Sequence, residues 1–279
     1  MNLIPVSDIA DLRISAFRDV KERDLTGRQG LFVAEGEVVL RGLASTASRC
    51  TPVAVLIAEK RLEALRDVLE RLPDHVPVHT APQDVLDGIA GFHLHRGILA
   101  LGRKPEPLGL ERFLDGLTER AVVVGACGIG NHDNMGGLFR NAAAFGAAGL
   151  LLDETCCDPF YRKAIRVSVG AVLRTPFVAG VPAAAMVEAL ETRGFEVLAL
   201  TPSATDTLSG LKPAPRTAIL LGSEGPGLSA EVIARCRPLA IRMSGGFDSL
   251  NVAATSAVAL HHLTTAGALQ AGRTGRRME

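Results

Sequence analysis

AVVVGACGIGNHDNMGGLFRNAAAFGA, residues 121–147, passes from a run of β-branched apolar residues through a Gly- and Asn-rich turn into a helical pattern. The opening AVVVG does not alternate apolar with polar residues. A strand of that kind is buried on both faces, as in a parallel sheet covered by helices. Similar runs follow at Gly149–Leu152, Phe195–Leu200 (FEVLAL) and Thr217–Leu221 (TAILL). Helical stretches at 134–145, 162–169, 182–193 and 229–236 separate or follow them, and a long helix from about Leu250 to Leu269 closes the pattern. Strand–helix alternation predicts an α/β fold with a mostly parallel sheet.

Upstream, RKPEPLG (Arg103–Gly109) reads as a linker, because two prolines within three positions interrupt any helix. Before it, PVAVLIA (Pro52–Ala58) predicts a buried strand, and Leu62, Leu65, Val68, Leu69 and Leu72 predict a helix over 60–72. Short strands at 76–79 and 98–101 and a short helix at 82–90 complete a small α/β unit. The expected organisation is a domain over 1–105 and a larger one over 106–279, in keeping with a length of 279 residues.

Composition narrows the function. Lys plus Arg and Asp plus Glu are both 30, so a polybasic chain that coats nucleic acid indiscriminately is excluded, whereas a local basic face is not. With no Trp and one Tyr, a surface built on aromatic base stacking is not expected. Five cysteines, with no CxxC pair, argue against a disulfide scaffold or a zinc site and for a reducing cytoplasm. The start, MNLIPVSDIADLR, is not a signal peptide, and the apolar stretch 250–260 is too short to span a bilayer. Neither a membrane nor a metal is expected.

In parallel α/β sheets, ligands bind beyond the carboxyl ends of the strands. Three loops there carry polar signals. In the first, Gly128–Ala147, Arg140 has no acid three or four residues away. It is either a solvent-facing side chain or a guanidinium aimed at a phosphate or carboxylate. The second, ILLGSEGPGLS (219–229), is a glycine-rich turn of neither the GxGxxG nor the Walker type. Its Glu224 disfavours phosphate and suits a cationic or hydroxyl-bearing ligand. The third, IRMSGGFDSLNVAATSAVAL (241–260), places a strand ending at Met243 before a Gly-Gly turn, with Ser249 as the helix cap. Basic residues near the start (Arg18, Lys21, Arg23, Arg28), on one helix (Arg162, Lys163, Arg166) and in the tail (Arg273, Arg276, Arg277) read as RNA contacts or as solvated charge.

In order and spacing these loops resemble the three motifs of the SpoU/TrmH family of RNA ribose methyltransferases, within the SPOUT class. The N-x-G-x-x-x-R motif reads Asn134-Met-Gly136-Gly-Leu-Phe-Arg140, and G-x-E-G reads Gly222-Ser-Glu224-Gly225. The third motif reads Ile241-Arg242-Met243…Ser249-Leu250-Asn251-Val252. Asp158–Phe177 also resembles the family's segment between its first two motifs, and GLFVAEGEVVLRGL and HLHRGILAL resemble its preceding substrate-binding domain more loosely. Arg242 stands where the family usually has Pro, Gly137 where it has Ala, and Val252–Ser256 replaces a Ser-rich continuation.

The resemblance implies a deep trefoil knot in the C-terminal sheet, a homodimer whose site draws on both subunits, and S-adenosylmethionine as cofactor. It implies cofactor contacts from Thr201, Gly222, Ile241, Met243 and Leu250, and methyl transfer to a ribose 2′-oxygen of ribosomal or transfer RNA. Arg140 is the expected catalytic centre, a phosphate clamp whose charge stabilises the developing alkoxide, since a guanidinium stays protonated. Asn134, Ser249 and Asn251 are expected to orient ribose or cofactor, and Glu224 to order its loop or approach the dimer partner. The alternatives are a catalytically silent knotted RNA-binding protein and a base-methylating SPOUT enzyme.

Overall fold

The structure, a computed structural model, describes residues 2–18, 26–27, 29–90, 97–245 and 249–274. Lys21, Arg23, Arg28, the His93–Arg96 part of HLHRGILAL, and Arg276 and Arg277 lie outside the described residues. The chain divides into two units: 1–106 together with 158–174, and 107–157 together with 175–279. The segment Asp158–Arg174, read from the sequence as part of the larger domain, thus goes with the smaller unit.

That smaller unit is a five-stranded sheet built from β1 (Asn2–Pro5), β2 (Leu31–Glu35), β3 (Thr51–Ala58), β4 (Pro77–Ala81) and β5 (Ile98–Arg103). The order is β1-β4-β3-β5-β2, with β1, β4 and β3 parallel and β5 antiparallel to both its neighbours. Side chains from β3 and β5 (Leu56, Leu99) bury against Ile14 and Leu86 on one face. On the other, Phe32 fills the space that a side chain at Gly102 would take, since a Cβ there would lie 2.2 Å from its ring. Phe160 stacks on Phe32 at 5.1 Å between centroids, the Lys104 ammonium lies 5.1 Å over the Phe160 ring, and Arg162 bonds Glu35 at 2.8 Å. These contacts tie 158–174 to the sheet. The helix expected over 60–72 is instead two 3-10 turns and a short α-helix, Arg66–Leu69. The apolar spacing was real: Leu65, Val68, Leu69 and Leu72 are buried. Broken turns present the same face as a continuous helix, so periodicity does not separate the two.

The larger unit is a six-stranded sheet, all parallel, of β6 (Ala121–Ala126), β7 (Gly149–Leu152), β8 (Phe177–Val178), β9 (Glu196–Leu200), β10 (Arg216–Leu221) and β11 (Arg237–Leu239). The order is β11-β9-β10-β6-β7-β8. The continuous apolar runs occupy its centre. The last strand ends at Leu239 rather than at Met243, and 241–243 is irregular. The helices His132–Phe145 and Val252–Thr274 pack closely: a Cβ on Gly137 would lie 2.5 Å from that of Ala253. Asn141 Nδ2 bridges them, donating to the Ala253 carbonyl at 2.7 Å and to Ser256 Oγ at 2.8 Å. The cap of the final helix is Asn251, not Ser249; Asn251 Oδ1 accepts from the amides of Ala253 (2.9 Å) and Ala254 (3.3 Å). Among the described residues, no helix is long and apolar enough to cross a membrane.

Candidate active site

Beyond the carboxyl ends of β9, β10 and β11 lies a cavity of about 530 Å³, within the usual range for small-molecule sites. Leu200, Leu221, Leu239, Ile241, Met243 and Leu250 give it an apolar wall. Thr201, Ser249 and Thr255 bring hydroxyls, and Glu224 brings a carboxylate. Thr201, Gly222, Ile241, Met243 and Leu250, singled out in the sequence, all line it, as do Glu224, Ser249 and Asn251. The glycines at 222, 225 and 227 fold the second loop tightly. A Cβ on Gly222 would meet the Gly227 carbonyl carbon at 2.3 Å and the Leu228 nitrogen at 2.4 Å, so the loop closes only because residue 222 has no side chain.

Three side chains from the three loops meet beside the cavity. Asn251 Oδ1 is occupied by two helix amides, which turns its Nδ2 toward Asn134 Oδ1 (2.7 Å) and Glu224 Oε1 (3.2 Å). Asn134 Oδ1 therefore faces a donor, and its own Nδ2 donates to the same Glu224 oxygen at 2.8 Å. Each amide orientation is forced by the next, because an amide offers donors on one side only. Asn134 is 5% exposed, so its full pairing is what burial demands.

Sequence reading did not find what holds the first loop. Asp153, directly after β7, accepts from the Gly128 amide with both oxygens (3.1 and 3.0 Å) and from Thr155 through its amide and hydroxyl. Cys156 Sγ donates to the Ala126 carbonyl and accepts from the Ile129 amide, and the Cys157 amide bonds the Ile129 carbonyl. Burial pushes the Cys156 and Cys127 thiols up to about 12, so both remain thiols at neutral pH. An acid at the carboxyl end of a strand was the signal available for Asp153.

Arg140 stands apart. It lies on the exposed side of the helix His132–Phe145, does not line the cavity, and has no bonded partner among the described residues. The cations on the helix Arg162–Val167 differ: Arg162 bonds the buried Glu35, and Arg166 lies 3.8 Å from it. These two arginines share the buried carboxylate of Glu35 within their own unit, and the Arg166 side chain stays about half exposed.

A parallel α/β sheet with a mainly apolar pocket at its strand ends, lined by the second and third motif loops and braced by Asn134 of the first, defines a ligand-binding domain. Residues 121–261 match the SpoU rRNA Methylase family. An uncharacterized tRNA/rRNA methyltransferase of Mycobacterium tuberculosis is 36% identical over 274 residues, covering 94% of this chain and 92% of the relative. Among solved structures, an RNA 2′-O ribose methyltransferase superposes with a TM-score of 0.78 at 25% identity, covering 95% of this chain and 100% of the other. The SpoU methyltransferase AviRb of Streptomyces viridochromogenes, solved in complex with AdoMet, gives 0.75 at 23% identity over 91% and 97%, a likeness of fold. The chain belongs to the SpoU rRNA methylase family and is by class an RNA methyltransferase.

Proposed function

We propose that this chain transfers a methyl group from S-adenosylmethionine to a ribose 2′-oxygen of RNA. The observation that carries this reading is the single cavity on which the second and third motifs converge, with Asn134 of the first motif bonded to both. Its residues suit the cofactor. The apolar wall takes a purine and a thioether chain, and the hydroxyls of Thr201, Ser249 and Thr255 suit a ribose and an amino-acid head. The glycine turn leaves backbone amides uncovered. AdoMet-bound relatives of the same fold support the same choice.

When bound, the cofactor supplies an electrophilic sulfonium methyl. The rest falls to the protein. Asn134, Glu224 and Asn251 act as positioning residues: their mutual bonds hold three loops in fixed register, which is how a site preorganises before substrate arrives. Arg140 supplies charge. A guanidinium is a poor base, so its role is to grip the target phosphate and stabilise negative charge growing on the 2′-oxygen. Its absence from this chain's own cavity supports a homodimer in which Arg140 serves the partner's pocket. The family's trefoil knot is consistent with the path after β11: Ala240 is held on both sides by Asp206 and Leu208 before the chain returns as the final helix. The smaller unit acts as the RNA-binding domain. Free cysteines fit a cytoplasmic enzyme.

The test is incubation with tritiated S-adenosylmethionine and, separately, total ribosomal and total transfer RNA. Label that resists alkaline cleavage at the modified nucleotide identifies 2′-O transfer and names the RNA class. Arg140→Ala is expected to lower the rate by about 10²–10³-fold with cofactor binding intact. Label on a base, or undiminished transfer by the variant, would overturn the reading.

A further inference from the structure

The arginines of the smaller unit are not used alike. Arg13 pairs with Asp11, Arg41 with Glu37 and Asp67, Arg61 with Glu37, Arg66 with Glu63, Arg71 with Asp67, and Lys104 with Asp158. Arg162 and Arg166 face Glu35. Among the described residues of this unit, the cations without a bonded partner are Arg49, Lys60, Arg103 and Arg174. Three of these four sit at one end of the sheet, and Lys60 lies past the opposite end of β3.

Their closeness follows from the backbone. Arg103 ends β5 and stands opposite Thr51, the first residue of β3, and opposite Leu31, the first of β2. Arg49 is two residues before Thr51. The Arg49 amide donates to the Leu173 carbonyl at 2.8 Å, which sets it beside Arg174. The scaffold beneath is held firmly. Ser48 Oγ donates to the Cys50 carbonyl and accepts from its amide. The Lys104 amide bonds the Gly30 carbonyl at 2.8 Å. Arg103 and Arg174 are exposed and Arg49 is half-buried, while Glu106 is the nearest acid in sequence. Because Lys104 and Asp158 cancel, this end carries a net positive charge within a chain whose total is zero.

Resting on the reading of this chain as an RNA methyltransferase, we propose that Arg49, Arg103 and Arg174 form the surface by which the smaller unit grips the phosphodiester backbone of the RNA substrate. Three unpaired guanidiniums at one sheet end each offer a planar fork that can make bidentate bonds with a phosphate. Such contacts position the RNA without reading its bases.

The test is filter binding of labelled total ribosomal RNA and total transfer RNA to the full-length protein across a salt series. The proteins are wild type, the triple variant Arg49→Gln/Arg103→Gln/Arg174→Gln, the triple Lys variant at the same positions, and Lys60→Gln. Each lost phosphate contact removes about 0.7–0.9 from the slope of log affinity against log salt. The triple Gln variant should therefore lose about 2–3 of slope, and its KM for RNA should rise at unchanged kcat and unchanged cofactor binding. The Lys variant should keep most of the slope, and Lys60→Gln should match wild type. A wild-type protein that methylates RNA while the triple Gln variant keeps its slope and KM would overturn the surface and leave the methyltransferase reading standing. A wild type that neither binds nor labels RNA would overturn both. Should the triple Gln variant melt early, the single Gln variants decide: a loss of about 0.7–0.9 of slope in each supports the surface, and wild-type slopes in all three sink the proposal.

Discussion

The two sheets of this chain handle their polar side chains in opposite ways. In the larger unit, Asn134, Glu224 and Asn251 come from loops up to 117 residues apart in sequence and bond to one another at the ends of parallel strands. In the smaller unit most charges make ion pairs, largely at the surface and not joined into one network at the strand ends, and a buried histidine, His79, has an Nδ1 without a partner. The difference shows what a site costs. Surface pairs contribute about 0–1 kcal/mol each and tolerate loss, whereas a shared network fixes loop geometry and fails as a unit.

The sharpest way to break the comparison is Gly222→Ala. In the smaller unit an added methyl on an exposed turn would be absorbed. Here it would collide with the Gly227–Leu228 backbone, which has no side chain to swing aside. Overpacking of this kind costs about 1–3 kcal/mol. The loop must open, and with it the cavity wall that Gly222 and Gly227 share. Cofactor affinity measured by calorimetry should fall at least about tenfold, the equivalent of 1.4 kcal/mol. Wild-type affinity in the variant would mean that the loop is not part of the site.

Gly137→Ala is a smaller break in the same unit. On helix propensity alone the change should stabilise by up to about 1 kcal/mol. Yet the new methyl would lie 2.5 Å from the Ala253 Cβ, on a helix clamped by Asn141. We expect net destabilisation of about 1 kcal/mol, the overpacking cost exceeding the propensity gain, read as a lower urea midpoint. A raised midpoint would show that the two helices separate freely.

What could be read beforehand, and what could not, follows the same division. The runs at 121–125, 149–152 and 217–221 are buried on both faces and could be read as strands without context. β1, β8 and β11 could not: each is four residues or fewer, and β11 (Arg237-Pro238-Leu239) has no apolar run. The cavity residues were legible only through what the motifs' family resemblance implied, and Thr201 lies in none of the three motifs. The bonds among Asn134, Glu224 and Asn251 were not, since nothing local links residues on separate loops. Ser249 looked like the cap because serine is a good one, but Asn251 stands two residues nearer the helix and its oxygen reaches two amides. The pairing of Arg162 with Glu35 was hidden because the partners are 127 residues apart.

The smaller unit yields the gentlest prediction. His79 sits on β4 between Ile4 of β1 and Leu56 of β3, and is 3% exposed. Burial pushes its pKa below the usual value, and the Arg13 charge adds to this against a weaker pull from Asp11. Asp11 itself is held down to about 2 by its bonds with Arg13, so it remains ionised through the window in which histidine titrates. The sign follows. As pH falls through about 6.5 the unfolded chain takes up a proton that the folded chain refuses. Stability attributable to His79 is therefore complete above that pH and declines below it, until the folded state also protonates. For one proton the slope cannot exceed about 1.4 kcal/mol per pH unit. Urea titrations of wild type between pH 7 and pH 5 should show this decline, and His79→Leu, which fills the same space without a titrating group, should flatten it. A decline of equal size in the variant would place the pH sensitivity outside the core of the smaller unit. It would then lie with other titrating groups, among which are six of the chain's 7 histidines, and the unpaired interior of the smaller unit would lose its part in the contrast.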